Sequence, residues 1–555
     1  MKIYLPCPRY YIVITTILIC IHTGAMAQTS SPAVGSCNTR LAGQLEQLMA
    51  AYAANGLFNG SVMITRQGTL LLKKGYGFSN LAKKEPNTAS TKYALYSITK
   101  PMTATLILLL AEQGQLRLND RLSRFYPGFP AGDSITIYHL LTHTSGLYAY
   151  NNDNSMPTQS EDAMIEFLSQ HSLEFVPGSQ WRYCNTGYYL LGFIIERLTG
   201  LSYAEALQTY LFTPLQMQQS SLDFRSLSAT RKAQGYHFMF LDSAQQASTY
   251  PYEELRSAGG VWSTAGDLYK FHEAMQRFRI ITDTSTSKAY TPYKNKYGLG
   301  WFIDSIMGCQ VVSHSGGAAG FRTLLVRVPE KDICIILLAN AENMDLEPIK
   351  EQLLRVLFAQ PYEIPHNIHL PIRQLNAIAG TYQLDAAHTL YITRIHQQLT
   401  GQVSGQQPVL LLAGNDGKFT VPGMKGYLEF IANGQGKYDS VRFFRKGRVY
   451  AGTKITPKWG ISGTATPNDW NGPDIMLLPD PNEPKRWRVL AVNLKNGLIK
   501  FRFNNDWTRN LGKNKNNAAL IENGQDISVS AGTYNIILDL TNPGNPCWKM
   551  TPVIP

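Results

Sequence analysis

A chain of 555 residues, 44% hydrophobic and 11% aromatic, is too long for one ordinary domain and too apolar to be disordered. Its formal charge of +12 comes from basic residues scattered along the chain without a long run. That reads as a solvated basic surface, and no nucleic-acid partner is expected.

Residues 1–27 read as a secretory signal peptide. Lys2 and Arg9 lead an apolar stretch over residues 10–21, and Ala25-Met26-Ala27 offers a small-residue cleavage site. No later run is long and apolar enough to cross a bilayer, so the mature chain is expected to be exported, periplasmic or envelope-associated, without a transmembrane helix. Cleavage leaves Cys37, Cys184, Cys309, Cys334 and Cys547, with no C-x-x-C spacing. Neither a disulfide framework nor a metal site is expected, and no cofactor is called for.

Leu41, Leu45, Leu48, Met49 and Tyr52 recur at helical spacing, and residues 60–66 and 70–75 read as a hairpin around Gln67-Gly68. Ser97 then heads an apolar run that ends at Gly114 and has the length of one buried helix, with Pro101 near its first turn. Residues three apart share a helix face, so Lys100 is placed to reach the Ser97 hydroxyl. A serine needs such a base to attack a carbonyl, and a desolvated lysine supplies one. By itself the S-x-x-K spacing is weak, because it arises by chance on many helices.

Two further stretches carry chemistry. Tyr183 and Asn185 lie on an expected loop after Pro177-Gly178, with side chains on one side if the chain is extended. The phenol suits a proton relay, and the amide suits a substrate carbonyl. His314, Ser315 and Gly316 follow an apolar strand, where small residues let a substrate approach; the backbone N–H of Gly317 is a candidate oxyanion donor beside that of Ser97. His139 and His143 stand four apart, but no glutamate follows the first and no third ligand is in view, so they read as structural. Thr264 and Asp267 read as a helix cap and its partner. Cys184 reads as a small buried residue.

In order, Ser97-x-x-Lys100, Tyr183-x-Asn185 and His314-Ser315-Gly316 resemble the serine β-lactamase and penicillin-binding-protein superfamily, especially its class C branch. Residues 139–147, 257–268 and 297–301 are similar to stretches of the same family, and the resemblance covers about residues 38–360. It implies an α+β fold, an antiparallel sheet flanked by helices with an inserted helical subdomain, over residues 28–362. It also implies that Ser97 is acylated, that Lys100 and Tyr183 are the acid/base pair, and that Asn185, His314, Ser315 and Gly316 position a small-molecule or peptide substrate. Most relatives carry lysine where this chain has His314, a neutral group at pH 7 in place of a fixed cation. The expected activity is therefore hydrolysis of a small ester, amide or D-amino-acid peptide. The alternatives are a true β-lactamase or D-alanyl-D-alanine carboxypeptidase, and a non-catalytic envelope binder. A His314→Lys change is expected to raise β-lactam turnover.

Two all-β domains are expected to follow. Short strands with Gly-rich turns over residues 372–454 resemble a lipocalin-like barrel. Residues 457–555 are similar to SusE-like and SusF-like binding modules, in which Trp470, Trp487 and Trp507 are candidates for stacking on sugar rings; core packing is the plainer reading. Contact with cell wall or polysaccharide is the partner these domains imply.

Overall fold

The computed structural model describes residues 34–149, 160–222, 231–240, 243–247, 255–385, 388–395, 397–403, 409–421, 424–445, 447–455, 459–480, 483–514, 519–542 and 544–553. The expected signal peptide lies outside the described residues. No described helix is long and apolar enough to cross a membrane.

The first unit is built on a six-stranded antiparallel sheet. Its strands are β1 (Gly60–Arg66), β2 (Thr69–Tyr76), β3 (Phe302–Ile306), β4 (Cys309–Ala318), β5 (Phe321–Val328) and β6 (Ile333–Ala339), in the spatial order β2-β1-β6-β5-β4-β3. The turn between β1 and β2 holds Gln67 at φ 51° and Gly68 at φ 71°, and two left-handed residues match the twist of a tight hairpin. Strands from both ends of the unit meet where Gly60 pairs with Ala339 and Arg66 with Ile333.

Both faces of this sheet are covered, so β6 reads as an unbroken apolar run and is buried throughout. Val62, Ile64, Leu324, Val326, Ile335 and Leu337 pack against the helices α1 (Val34–Ala54) and, far downstream, Leu346–Leu357. Met63, Leu325, Ile336 and Leu338 face the other way, into a core shared with α2 (Thr99–Glu112). In α2, Leu106, Ile107, Leu108 and Leu110 are at most 2% exposed, each contributing roughly 1.5–3 kcal/mol by burial. That anchorage holds the start of α2 rigidly against the sheet.

The segment between β2 and β3 is mainly helical, including α3 (Asn185–Thr199) and α4 (Ala265–Gln276). It also contains a hairpin, Tyr236–Phe240 with Ser243–Gln246, that the sequence did not announce.

Eight antiparallel strands, from Gly380–Gln383 to Arg448–Ile455, then close a barrel through the pairing of Thr381 with Ile455. Phe240 of the helical insert packs on Leu410 and Leu412 of the barrel wall. The last β region stacks two antiparallel sheets around a core that includes Ile461, Phe501, Ile536 and Leu538. Trp487 belongs to that core at 6% exposure. It presents no open face for a sugar ring, which corrects the expectation for this tryptophan. Trp470 and Trp507 instead form a pair with ring centroids 5.7 Å apart, and Trp507 is 37% exposed.

Candidate active site

Ser97 sits in a 3-10 turn, Tyr96–Ile98, immediately ahead of α2. Tyr96 is held at φ 49°, a left-handed conformation that costs a non-glycine residue energy and persists only where its surroundings fix it. They do so here. Leu95 N–H donates to the Val261 carbonyl at 2.9 Å, Thr323 Oγ1 donates to the Leu95 carbonyl at 2.8 Å, and the Tyr96 hydroxyl donates to the Ala319 carbonyl at 3.0 Å.

One helical turn separates Ser97 from Lys100, whose Nζ lies 3.0 Å from Ser97 Oγ. The amine also donates to the Ala258 carbonyl at 2.7 Å, and Thr103 Oγ1 donates to the Ser257 carbonyl at 2.7 Å. The segment around Ala258 thus straps the base to the nucleophile turn. It left no side-chain signal in the sequence, because the contacting groups are carbonyls. Lys100 is wholly buried, with no carboxylate partner among the described residues. Burial lowers its pKa to about 7, so a neutral amine is available near neutrality.

Tyr183 completes the group. Its hydroxyl is near enough to that of Ser97 for the serine to favour the phenolate, and Lys100 Nζ lies 4.9 Å from its ring centroid. Burial raises the phenol's pKa above its ordinary value, and the nearby Ser97 hydroxyl opposes the rise. Tyr183 is therefore a protonated phenol at neutral pH. Three groups expected from two stretches of the chain are brought together.

Asn185 differs from its expected setting. Cys184 is the N-cap of α3 and Asn185 the first helical residue, so the extended-chain argument for a shared side with Tyr183 does not hold. Asn185 is half-buried on that first turn. Cys184 is buried, and its thiol pKa is raised, first by desolvation.

β4 runs on through the small residues that were expected to follow it, and exposure alternates along it. His314 and Gly316 are buried; Ser315 and Gly317 are exposed. A Cβ at Gly316 would lie 2.0 Å from the Leu95 carbonyl oxygen and 3.0 Å from Ser97 N, so glycine is what lets this strand lie against the nucleophile turn. His314 is 1% exposed. Its Nδ1 lies 2.7 Å from the Ser315 carbonyl oxygen and its Nε2 3.0 Å from the Tyr297 hydroxyl. A carbonyl only accepts, so Nδ1 carries the hydrogen and Nε2 accepts from Tyr297. Burial, then the Lys100 charge, depresses the His314 pKa to about 3.

Two residues found here, Tyr297 and His143, had no expected active-site role. The His143 ring lies 4.3 Å from that of Tyr183 and 4.6 Å from that of Tyr297. His139, in contrast, joins Thr136 in a capping box.

The Beta-lactamase family matches residues 41–358, more than half of the chain. A penicillin-binding protein of Bacillus subtilis strain 168 is 30% identical over 421 residues, covering 70% of this chain and 93% of that protein. A solved penicillin-binding-protein homologue from Pyrococcus abyssi superposes with a TM-score of 0.55 at 24% identity, covering 74% of this chain and 99% of that one. D-amino acid amidase from Ochrobactrum anthropi SV3 gives a TM-score of 0.51 at 23% identity over 58% of this chain and 99% of that one. The two superpositions support the fold, and the family match together with the Bacillus relative settles membership: the chain belongs to the Beta-lactamase family, as a serine hydrolase related to penicillin-binding proteins.

Proposed function

We propose that this protein is an exported hydrolase that forms an acyl-enzyme on Ser97 from a small ester, amide or D-amino-acid peptide. The observation that carries this reading is the 3.0 Å contact between Ser97 Oγ and the wholly buried Lys100 amine. Lys100 takes the Ser97 proton as Oγ bonds to the substrate carbonyl carbon. The backbone N–H groups of Ser97 and Gly317 stabilise the oxyanion. Collapse breaks the bond to the leaving group, and the Tyr183 phenol passes it a proton drawn from Lys100. Water, giving its proton back through the same pair, then releases the acid and restores Ser97. Asn185 and the exposed Ser315 hold the substrate, while both ring nitrogens of His314 are taken by Tyr297 and the Ser315 carbonyl.

Neutral, buried His314 offers no cation to a substrate carboxylate, which favours small esters and amides over β-lactams. A fluorophosphonate probe should label wild type and leave Ser97→Ala unlabelled, and wild type alone should hydrolyse p-nitrophenyl esters or D-alanyl peptides. Equal labelling of both, or a panel left intact by wild type, would overturn the reading.

Export rests on residues 1–27 and is tested by fractionating cells that express the full chain. Attachment to polysaccharide through the last β region is supported by the Trp470–Trp507 pair.

A further inference from the structure

The loop that carries Tyr183 has no ladder of its own: residues 181–184 lie in neither helix nor strand, and α3 begins only at Asn185. A single residue from a distant stretch holds it at three consecutive positions. The His143 carbonyl accepts from Arg182 N–H at 3.0 Å, the His143 ring packs on Tyr183 with centroids 4.3 Å apart and planes tilted by 37°, and His143 Nδ1 accepts from Cys184 N–H at 3.1 Å. His143 itself sits at φ 59°, a strained value for a non-glycine residue that orients carbonyl and ring towards the same loop. Behind it, Thr142 Oγ1 donates to the Tyr138 carbonyl at 2.8 Å, and Gly178 N–H donates to the Thr144 carbonyl at 2.7 Å.

We propose that His143 is the positioning residue for Tyr183: a neutral imidazole that clamps the backbone on both sides of the tyrosine and backs its ring, fixing the phenol against Ser97. The inference rests on the acyl-serine reading and adds to it a residue that touches neither the substrate nor Ser97. Because Nδ1 accepts from Cys184, the ring hydrogen is on Nε2, which meets no hydrogen-bond acceptor among the described residues. Switching tautomer would break the Cys184 bond. Burial, with Lys100 and then His314 nearby, holds the His143 pKa well below its ordinary value. The clamp therefore stays uncharged beside a lysine that must lose its own proton.

The test is a double-mutant cycle with Tyr183→Phe in the full chain, using the best ester or peptide of the panel. His143→Gln keeps an acceptor and loses the ring; His143→Phe keeps a ring and loses the acceptor. Each should lower kcat by about 10²-fold, the order expected when a catalytic group is displaced by about 1 Å, with KM little changed. Neither should lower it further once Tyr183 is Phe, because the group being positioned is gone. An equal loss in both backgrounds, a change confined to KM, or full activity in Tyr183→Phe would overturn the proposal. Fluorophosphonate labelling of Ser97 in every variant reports separately on the acyl-serine reading. Histidine-selective 15N spectra of wild type provide a check that needs no variant to fold. One ring should remain neutral with its hydrogen on Nε2 from about pH 6 to 9, and its absence would refute the clamp.

Discussion

Tyr297 donates its phenolic hydrogen to Nε2 of His314 at 3.0 Å, and with Nδ1–H committed to the Ser315 carbonyl the imidazole has no group left to offer a substrate. The consequence reverses what the sequence suggested for His314→Lys. A lysine there would bury a second cation near Lys100 and strand the Tyr297 hydroxyl. Nitrocefin turnover should stay at the wild-type level or fall, and the melting temperature should drop by several degrees, at about 2–4 °C per kcal/mol for a domain of this size.

Lys100 sets the pH dependence. With a folded pKa of about 7, kcat/KM should rise with pH through about 7 as the amine loses its proton. Lys100→Arg, which stays protonated, should be inactive throughout.

The same group shapes stability in the same direction. Below about pH 7 the folded and unfolded lysine are both charged, and the burial penalty is felt in full. Between about 7 and the ordinary 10.5, the unfolded state holds the proton that the folded state has shed, so stability climbs with pH. Lys100→Met should abolish that part of the slope and raise the melting temperature most at or below pH 7. Melts of both proteins across the range would measure it, and a variant less stable than wild type at pH 6 would contradict it.

Gly316→Ala should be far more damaging than Ser315→Ala. The new Cβ would meet the Leu95 carbonyl at 2.0 Å, forcing β4 away from Ser97, whereas Ser315 points outward. Loss of probe labelling together with a lower melting temperature is expected for the first, and a change mainly in KM for the second.

The tryptophans of the last β region should separate by experiment. Trp487→Ala should destabilise by about 3–5 kcal/mol as a core truncation, measured by denaturant unfolding. Trp507→Ala should leave unfolding nearly unchanged and weaken polysaccharide pull-down, if that surface is where glycans attach.

Much of this architecture was readable where local chemistry decides it. The run of apolar residues at 333–339, the paired left-handed turn at Gln67-Gly68 and the three-residue spacing of Ser97 and Lys100 each follow from periodicity or turn preference alone. The barrel's eighth strand, Arg448–Ile455, has no such signal, since most of its residues are exposed and no apolar alternation marks it. Asn185 reads as a loop residue because asparagine favours the cap position outside a helix, whereas the observed N-cap is Cys184, which makes no side-chain capping bond. Ala258 was beyond reach for another reason, since a carbonyl oxygen is common to every residue. His143 showed only as half of a histidine pair, and its purpose depends on a loop that the fold brings to it from elsewhere.

The register of β1 against β6, with Gly60 opposite Ala339, also dictates when this molecule can become itself. The β1–β2 hairpin is finished early in synthesis, but one of its edges waits for a strand that the ribosome delivers only after the whole helical insert. Refolding should accordingly be slow, as closure over so long a loop is, and chains released before Ile333 should aggregate through the waiting edge.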